Sequence, residues 1–303
     1  MISALLYATT VLTGALVWFA TKFQLGLVPP EISLIYRFGA AAPLLMGIAA
    51  LCGDPLRHGL RIHAKMALFG GLVFAGNFVL IYAAIGNLTS GLVATIFSTS
   101  VLMNIGFGAV LLGRKIERRV TLGALLGVCG LALIFNPELT RLDLRDARTL
   151  GILQALGATM LFSLGNIISA SLQAAKIPAL VSTAYGMAYG TLLLIVFALL
   201  AGKPFLFDPS QGYVLSLAYL TIFGAVIGYG TYFSLLGRIG PERAAYTIVL
   251  VPALALGVST LFEGFAWDAA ALLGAALIFG GNIAILWQRK PSPYVTKAPA
   301  PND

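Results

Sequence analysis

Apolar runs of about twenty residues, separated by short clusters of charge, proline and glycine, recur along the whole chain. An uncharged run of that length crosses the hydrocarbon core of a bilayer as a helix. The pattern predicts ten spanning helices, at roughly 3–21, 32–52, 66–85, 92–112, 120–136, 150–172, 179–201, 212–236, 244–262 and 269–287. The breaks carry turn chemistry, as in Val28-Pro29-Pro30-Glu31, Gly53-Asp54-Pro55, Asn136-Pro137 and Gly240-Pro241-Glu242. The strict alternation of a barrel strand is missing. The expected fold class is therefore an all-α polytopic membrane protein. Composition agrees: 59% of residues are hydrophobic, only 10% are charged, and mean hydropathy is +0.94, values that exclude a soluble globular domain. The first residues lack the basic region of a cleaved signal and are read as the first span. The Pro-rich tail, 290–303, is expected to be disordered.

The net charge of +8 is explained by topology. With the N-terminus inside, thirteen Lys and Arg residues fall in inner loops and the tail, and five in outer loops. Both termini are then expected in the cytoplasm, of a bacterial inner membrane by default. No role in binding nucleic acid is needed. Cys52 and Cys129 lie near span ends and build neither a disulfide framework nor a metal site. No cofactor is expected.

The chain repeats itself. Pro29-x3-Ser33-x2-Tyr36 returns as Pro178-x3-Ser182-x2-Tyr185. Ile85-Gly86-Asn87-Leu88 returns as Leu236-Gly237-Arg238-Ile239, and Gly123 with Gly130 as Gly274 with Gly281. All three offsets lie between 149 and 151 residues. A constant offset signals a duplicated unit. The expected units are 1–136 and 150–289, joined by the charged extracytoplasmic linker 137–149. Each holds five spans. Five is odd, so the copies must sit upside down relative to each other, as in many secondary transporters. Gly123-x3-Gly127, Gly186-x3-Gly190 and Gly224-x3-Gly228 are expected to permit close helix approach.

Several spans carry polar or aromatic groups. In the fourth, Thr95, Ser98, Thr99 and Met103 share one face at helical spacing. Such a stripe either lines a watery cavity or bonds its hydroxyls back to its own helix as packing glue. The third span offers Asn77, Phe78 and Tyr82, the eighth Tyr229 and Tyr232, the ninth Tyr246, the first Trp18, and the sixth Ser163 and Asn166. Aromatic residues near span ends, such as Tyr213 and Trp267, fit the interfacial belt. Arg37 is the ionisable residue clearly inside a span. It lies about six residues from the outer end, close enough to snorkel outward. Pro252 breaks a backbone hydrogen bond in the ninth span and is a candidate hinge.

The chain resembles the EamA-type members of the drug/metabolite transporter superfamily from about residue 3 to 288. The resemblance rests on Leu16-Val17-Trp18, Tyr36-Arg37-Phe38, Ser90-Gly91-Leu92-Val93-Ala94 and Val251-Pro252-Ala253, in that order on a five-plus-five layout. One departure stands out: Gly113-Arg114 occupies the place where the family often has Gly-Glu, whereas the second copy keeps Glu263. The resemblance implies metabolite export through a central cavity lined by spans 1, 3, 4, 6, 8 and 9. Within the superfamily, the aromatic lining looks most like that of the bacterial aromatic amino acid exporters. The resemblance gives Arg37 a structural or gating role outside the cavity.

On that layout Trp18, Asn77, Phe78, Tyr82, Thr95, Ser98, Thr99, Met103, Ser163, Asn166, Tyr229, Tyr232 and Tyr246 converge on the substrate. Rings, amides and hydroxyls without an interior carboxylate suit a small amphiphile such as an aromatic or hydrophobic amino acid. Phosphate-bearing solutes need more cationic partners than Arg37 alone. Without an acid or histidine inside a span, the expected mechanism is uncoupled facilitated diffusion by a monomer in the lipid bilayer. Other metabolites or drugs of the same superfamily are the alternative substrates. An intramembrane enzyme is a weaker reading, because His58 and His63 share one basic loop without a paired acid or nucleophile.

Overall fold

The computed structural model describes residues 2–112, 118–134, 146–239, 257–264 and 267–286. All regular structure among them is helical. The first span is two helices, α1 (Ile2–Ala15) and α2 (Val17–Lys22). The second is α3 (Pro30–Leu51). In the third, α4 (Leu60–Gly70) passes through a π-helical segment (Gly71–Gly76) into α5 (Asn77–Asn87). The fourth is α6 (Ser90–Phe97) followed by α7 (Ser100–Leu112). Then come α8 (Arg118–Ile134), α9 (Ala147–Ala174) and α10 (Ala179–Leu200). The next stretch is α11 (Gln211–Tyr219), a second π-helical segment (Leu220–Tyr229) and α12 (Gly230–Ile239). The last helix is α13 (Ala269–Leu286). Most of the expected ninth span lies outside the described residues, as do Tyr246, Pro252 and Arg114. Six helical stretches among the described residues are long and apolar enough to cross a membrane.

The repeated motifs fold alike. Pro29 and Pro178 cap α3 and α10 with φ, ψ of −55°, 139° and −58°, 140°. Each preset φ launches a helix without wasting a donor. At the other ends Gly53 (φ 78°) and Gly202 (φ 61°) follow the last turns. The next amides, Asp54 and Lys203, donate back to Ala49 and Ala198 at 3.0 and 2.9 Å. This left-handed cap needs glycine because a Cβ is strained there.

The motif tyrosines cross over. Tyr36 Oη in α3 donates to the Leu206 carbonyl in the loop after α10, and Tyr185 Oη in α10 donates to the Leu56 carbonyl in the loop after α3, both at 3.0 Å. Each helix therefore starts beside its partner's end, and the two pack antiparallel. The helices α8 and α13 do the same: Gly130 meets the Gly274 carbonyl and Gly281 meets the Gly123 carbonyl, with room for no Cβ at either crossing. Leu44, Ile48, Leu51, Leu193, Leu199 and Leu200 remain exposed on α3 and α10. An apolar exterior of this kind is what hydrocarbon requires.

Candidate functional site

A cavity lies between α1, α2, α5, α6, α9 and the second π-helical segment, with α12 closing one side. Its volume is about 120 Å³, near the ~150 Å³ apolar cavity that accepts a benzene ring. Six aromatic side chains line it. Trp18 meets Phe97 edge-on at 5.2 Å between centroids, Phe97 meets Phe162 at 4.8 Å, and Phe162 meets Tyr232 at 5.8 Å. Phe78 and Tyr229 complete the ring at 6.0 Å. Thr10 and Thr13 bring hydroxyls, and Gly14, Gly224 and Gly228 leave the space open. Edge-on and offset rings of this spacing attract one another and a bound ring alike.

The structure brings four of the expected residues to this wall: Trp18, Phe78, Tyr229 and Tyr232. Others sit elsewhere. Asn77 is buried and donates Nδ2 to the Val73 carbonyl at 3.1 Å, inside the first π-helical segment. Tyr82 is buried with its hydroxyl beside the Arg37 guanidinium. Thr95 donates to the Gly91 carbonyl at 2.8 Å, Ser98 to Thr95 and Thr99 to Ile96, both at 2.7 Å. These back-bonded hydroxyls gather where α6 gives way to α7, and such bonding bends helices. The packing reading of the stripe fits them. Met103 is partly buried and away from the cavity wall.

The fourth span uses a different polar pair. Ser163 donates to the Ser100 carbonyl at 3.3 Å, and Asn166 Nδ2 donates to Asn104 Oδ1 at 3.3 Å. Ser100 and Asn104 are one turn apart, so they share the face that meets α9. The Tyr232 hydroxyl, at the cavity wall, lies beside the Asn166 amide just behind it. Phe97 and Phe162 were not legible as site residues, because an apolar residue in a span looks the same whether it faces lipid, core or cavity. Tyr213 is buried and shares a hydrogen bond with Ser33 at 2.9 Å, so it does not belong to the exposed belt.

Arg37 points into the bundle instead of snorkelling outward; it is 0% exposed. Its guanidinium carbon stands 5.0 Å from the Phe38 ring centre and 4.8 Å from that of Phe78. It therefore lies directly behind the cavity wall, closer than the expected placement outside it.

A second polar centre joins the start of α6 to Glu263. The Ser90 amide and hydroxyl donate to the Glu263 carboxylate at 2.9 and 2.8 Å, Ser259 donates at 2.6 Å, and Lys22 Nζ pairs with it at 3.2 Å. Ser259 Oγ in turn accepts from the Gly91 amide at 2.8 Å. Burial works against the Glu263 charge, but the bonds from Ser259 and Ser90 and the Lys22 ammonium outweigh it and hold the carboxyl below its ordinary pKa. A carboxylate at a helix N-terminus also meets the positive end of the helix dipole.

The cavity wall makes a labelling prediction. With Cys52 and Cys129 changed to serine, a small water-soluble thiol reagent is expected to modify Ala94→Cys faster than Thr95→Cys. Ala94 borders the cavity, whereas Thr95 turns into packed helix. Equal rates would put the hydroxyl stripe in the cavity.

Comparison with known proteins places this geometry. The profile of the EamA-like transporter family matches residues 1–136 and 149–287. A Salmonella typhimurium protein named "Probable amino-acid metabolite efflux pump" is 25% identical over 70% of this chain and 73% of its own. The Escherichia coli K12 "Uncharacterized inner membrane transporter YedA" is 24% identical over 86% of this chain and 82% of its own. A solved crystal structure, 20% identical, covers 93% of this chain and 96% of its own at a TM-score of 0.69, which shows a shared fold. With its profile matched over both halves of the sequence, the chain belongs to the EamA-like transporter family.

Proposed function

We propose that this protein exports small amphiphilic metabolites, aromatic or hydrophobic amino acids above all, by alternating access. The observation that carries the reading is the aromatic cavity enclosed by Trp18, Phe78, Phe97, Phe162, Tyr229 and Tyr232. A ring stacks in it, while the hydroxyls of Thr10 and Thr13, which donate back to Leu6 and Thr9, stand at the wall with Tyr232 and can accept from the polar end of the solute. The Ser163–Ser100 and Asn166–Asn104 bonds hold α9 in register against α7. The efflux pump named above supports an amino acid as the solute.

Alternating access follows from two inverted five-helix units, 1–136 and 150–289, joined by 137–149. The antiparallel pairing of α3 with α10 and of α8 with α13 supports this, as does the split family match. So do the two π-helical segments, each inside its unit's third span. Two packings built from the same pattern in opposite orientation lie close in free energy and exchange. The termini face the cytoplasm, the unit is a monomer, and the solute moves down its own gradient. The cavity wall described here carries neither carboxylate nor imidazole, which favours uncoupled transport.

Counterflow of labelled phenylalanine in proteoliposomes tests the reading. Saturable counterflow, unchanged by an imposed pH gradient, is expected. Acceleration by the gradient would mean a proton site exists; no flux would remove aromatic amino acids as substrates. Trp18→Ala is expected to raise the half-saturation concentration roughly 10-fold, from lost stacking and burial. Wild-type kinetics in this variant would take Trp18 out of the site.

A further inference from the structure

We propose that Arg37 is the anchor for a carboxylate on the transported solute; this deepens the export reading by naming the group recognised. The guanidinium is wholly buried, and among the described residues the polar side chain placed beside it is the Tyr82 phenol, which does not meet good hydrogen-bond geometry with Nε, Nη1 or Nη2. Five donors in low dielectric without a well-placed acceptor are costly to keep. Neither Glu31 nor Glu263 pairs with it: the first stands 4.0 Å from Lys203 and the second 3.2 Å from Lys22. The faces of Phe38 and Phe78 offset part of the cost by cation–π attraction, but rings take up the charge and leave the N–H groups free.

The position is as telling as the missing partner. Two cavity-wall residues, Phe78 and Gly224, touch the guanidinium. A Cβ on Gly224 would stand 3.0 Å from Nη2 and 3.3 Å from Val17. Glycine there removes the side chain that would otherwise wall Arg37 off from the cavity. The Tyr82 hydroxyl is buried against the guanidinium, and its own proton is left to donate to the same anion. A planar fork with a phenol next to it, one ring's depth behind an aromatic box, matches an aryl-substituted carboxylate. A solute with its ring among Trp18, Phe97 and Phe162 would direct its carboxylate over Gly224 to Arg37. Planar, bidentate recognition is what arginine provides and lysine does not.

The test uses the full chain purified in detergent, with thermal stability read against ligand concentration. The probes are 3-phenylpropionate and 3-phenylpropan-1-ol, which share the ring and chain and differ in the carboxylate. The acid is expected to stabilise wild type with an apparent Kd at least about 10-fold below that of the alcohol. Arg37→Met is expected to erase that preference while its ligand-free Tm stays equal or rises, because replacing an unpaired buried charge by an apolar chain is neutral or stabilising. Arg37→Lys should keep only part of the preference. No preference in wild type, or full preference retained in Arg37→Met, overturns the proposal. Should Arg37→Met fail to fold, the wild-type ratio and Arg37→Lys decide the matter. Phenylalanine counterflow is a separate readout. Acid preference without counterflow keeps the anchor and rejects the amino acid substrate; counterflow without acid preference rejects the anchor alone.

Discussion

Valine in place of Gly70 is expected to leave little folded protein in the membrane. Gly70 ends α4 where it crosses α10, and a Cβ there would run into the Gly186 carbonyl oxygen and stand 3.0 Å from the Gly190 amide nitrogen. Seen from the other helix, a Cβ on Gly190 would lie 2.9 Å from the Gly70 carbonyl oxygen. Backbone stands on both sides, so no side chain can rotate away. The helices must separate, and with them the Phe69 and Phe74 packing against Gly186. Overpacking of this kind costs about 3 kcal/mol or more. The check is the fraction recovered as a monodisperse peak after extraction, with Gly47→Ala as control, since Gly47 has nothing within 4 Å of its would-be Cβ. Normal recovery of Gly70→Val would show that the crossing tolerates wider spacing.

Glu263→Ala is expected to destabilise the protein by about 2 kcal/mol, mainly from the lost charge-assisted hydrogen bonds of Ser90 and Ser259, since the Lys22 side chain is 34% exposed and its pairing is screened by solvent. The Glu263 side chain is 2% exposed and ties Ser259 and Lys22 to the first turn of α6. Alanine strands the Ser90 amide and both serine hydroxyls. The same carboxylate sets a pH dependence. Its folded pKa lies below the ordinary 4.5, so the folded state binds fewer protons than the unfolded state near that pH. Its contribution is therefore complete above about pH 5 and is lost as the pH falls through the folded pKa. The difference in Tm between wild type and Glu263→Gln should be constant at neutral pH and shrink on acidification below 4.5. A difference that stays constant into strong acid would show that Glu263 is not charged in the fold.

The Glu263 centre shows where sequence reading stops. Ser90-Gly91 and Glu263 each stand out as family-like features, and the missing acid at Arg114 is visible by comparison of the two halves. That the serine of one motif receives the acid of the other, across more than 170 residues, depends on which helices are neighbours. Periodicity carries no information about that. The same holds for Arg37, whose burial against Phe78 and Gly224 is invisible from a position six residues inside a span.

The sequence by itself determined that the chain is helical and membrane-embedded, and it located the six long apolar helices seen among the described residues, most of their ends to within a few positions. Spans are legible because hydrocarbon forces each helix to satisfy its own backbone and to be apolar along its length. Caps are legible because proline and glycine fix local φ. The repeated Tyr36 and Tyr185 were legible as a pair, but only packing showed that each bonds the other copy's loop. Only tertiary structure shows which polar groups lie at the cavity wall and which lie in packed helix. In a membrane a hydroxyl finds an acceptor one turn back as readily as in a solute, so Thr95, Ser98 and Thr99 carry the same signature in either role. Apolar residues are equally silent. Phe97 and Phe162 become cavity wall because of the surfaces that α2, α6 and α9 present to one another, and that is settled by shape complementarity between distant helices.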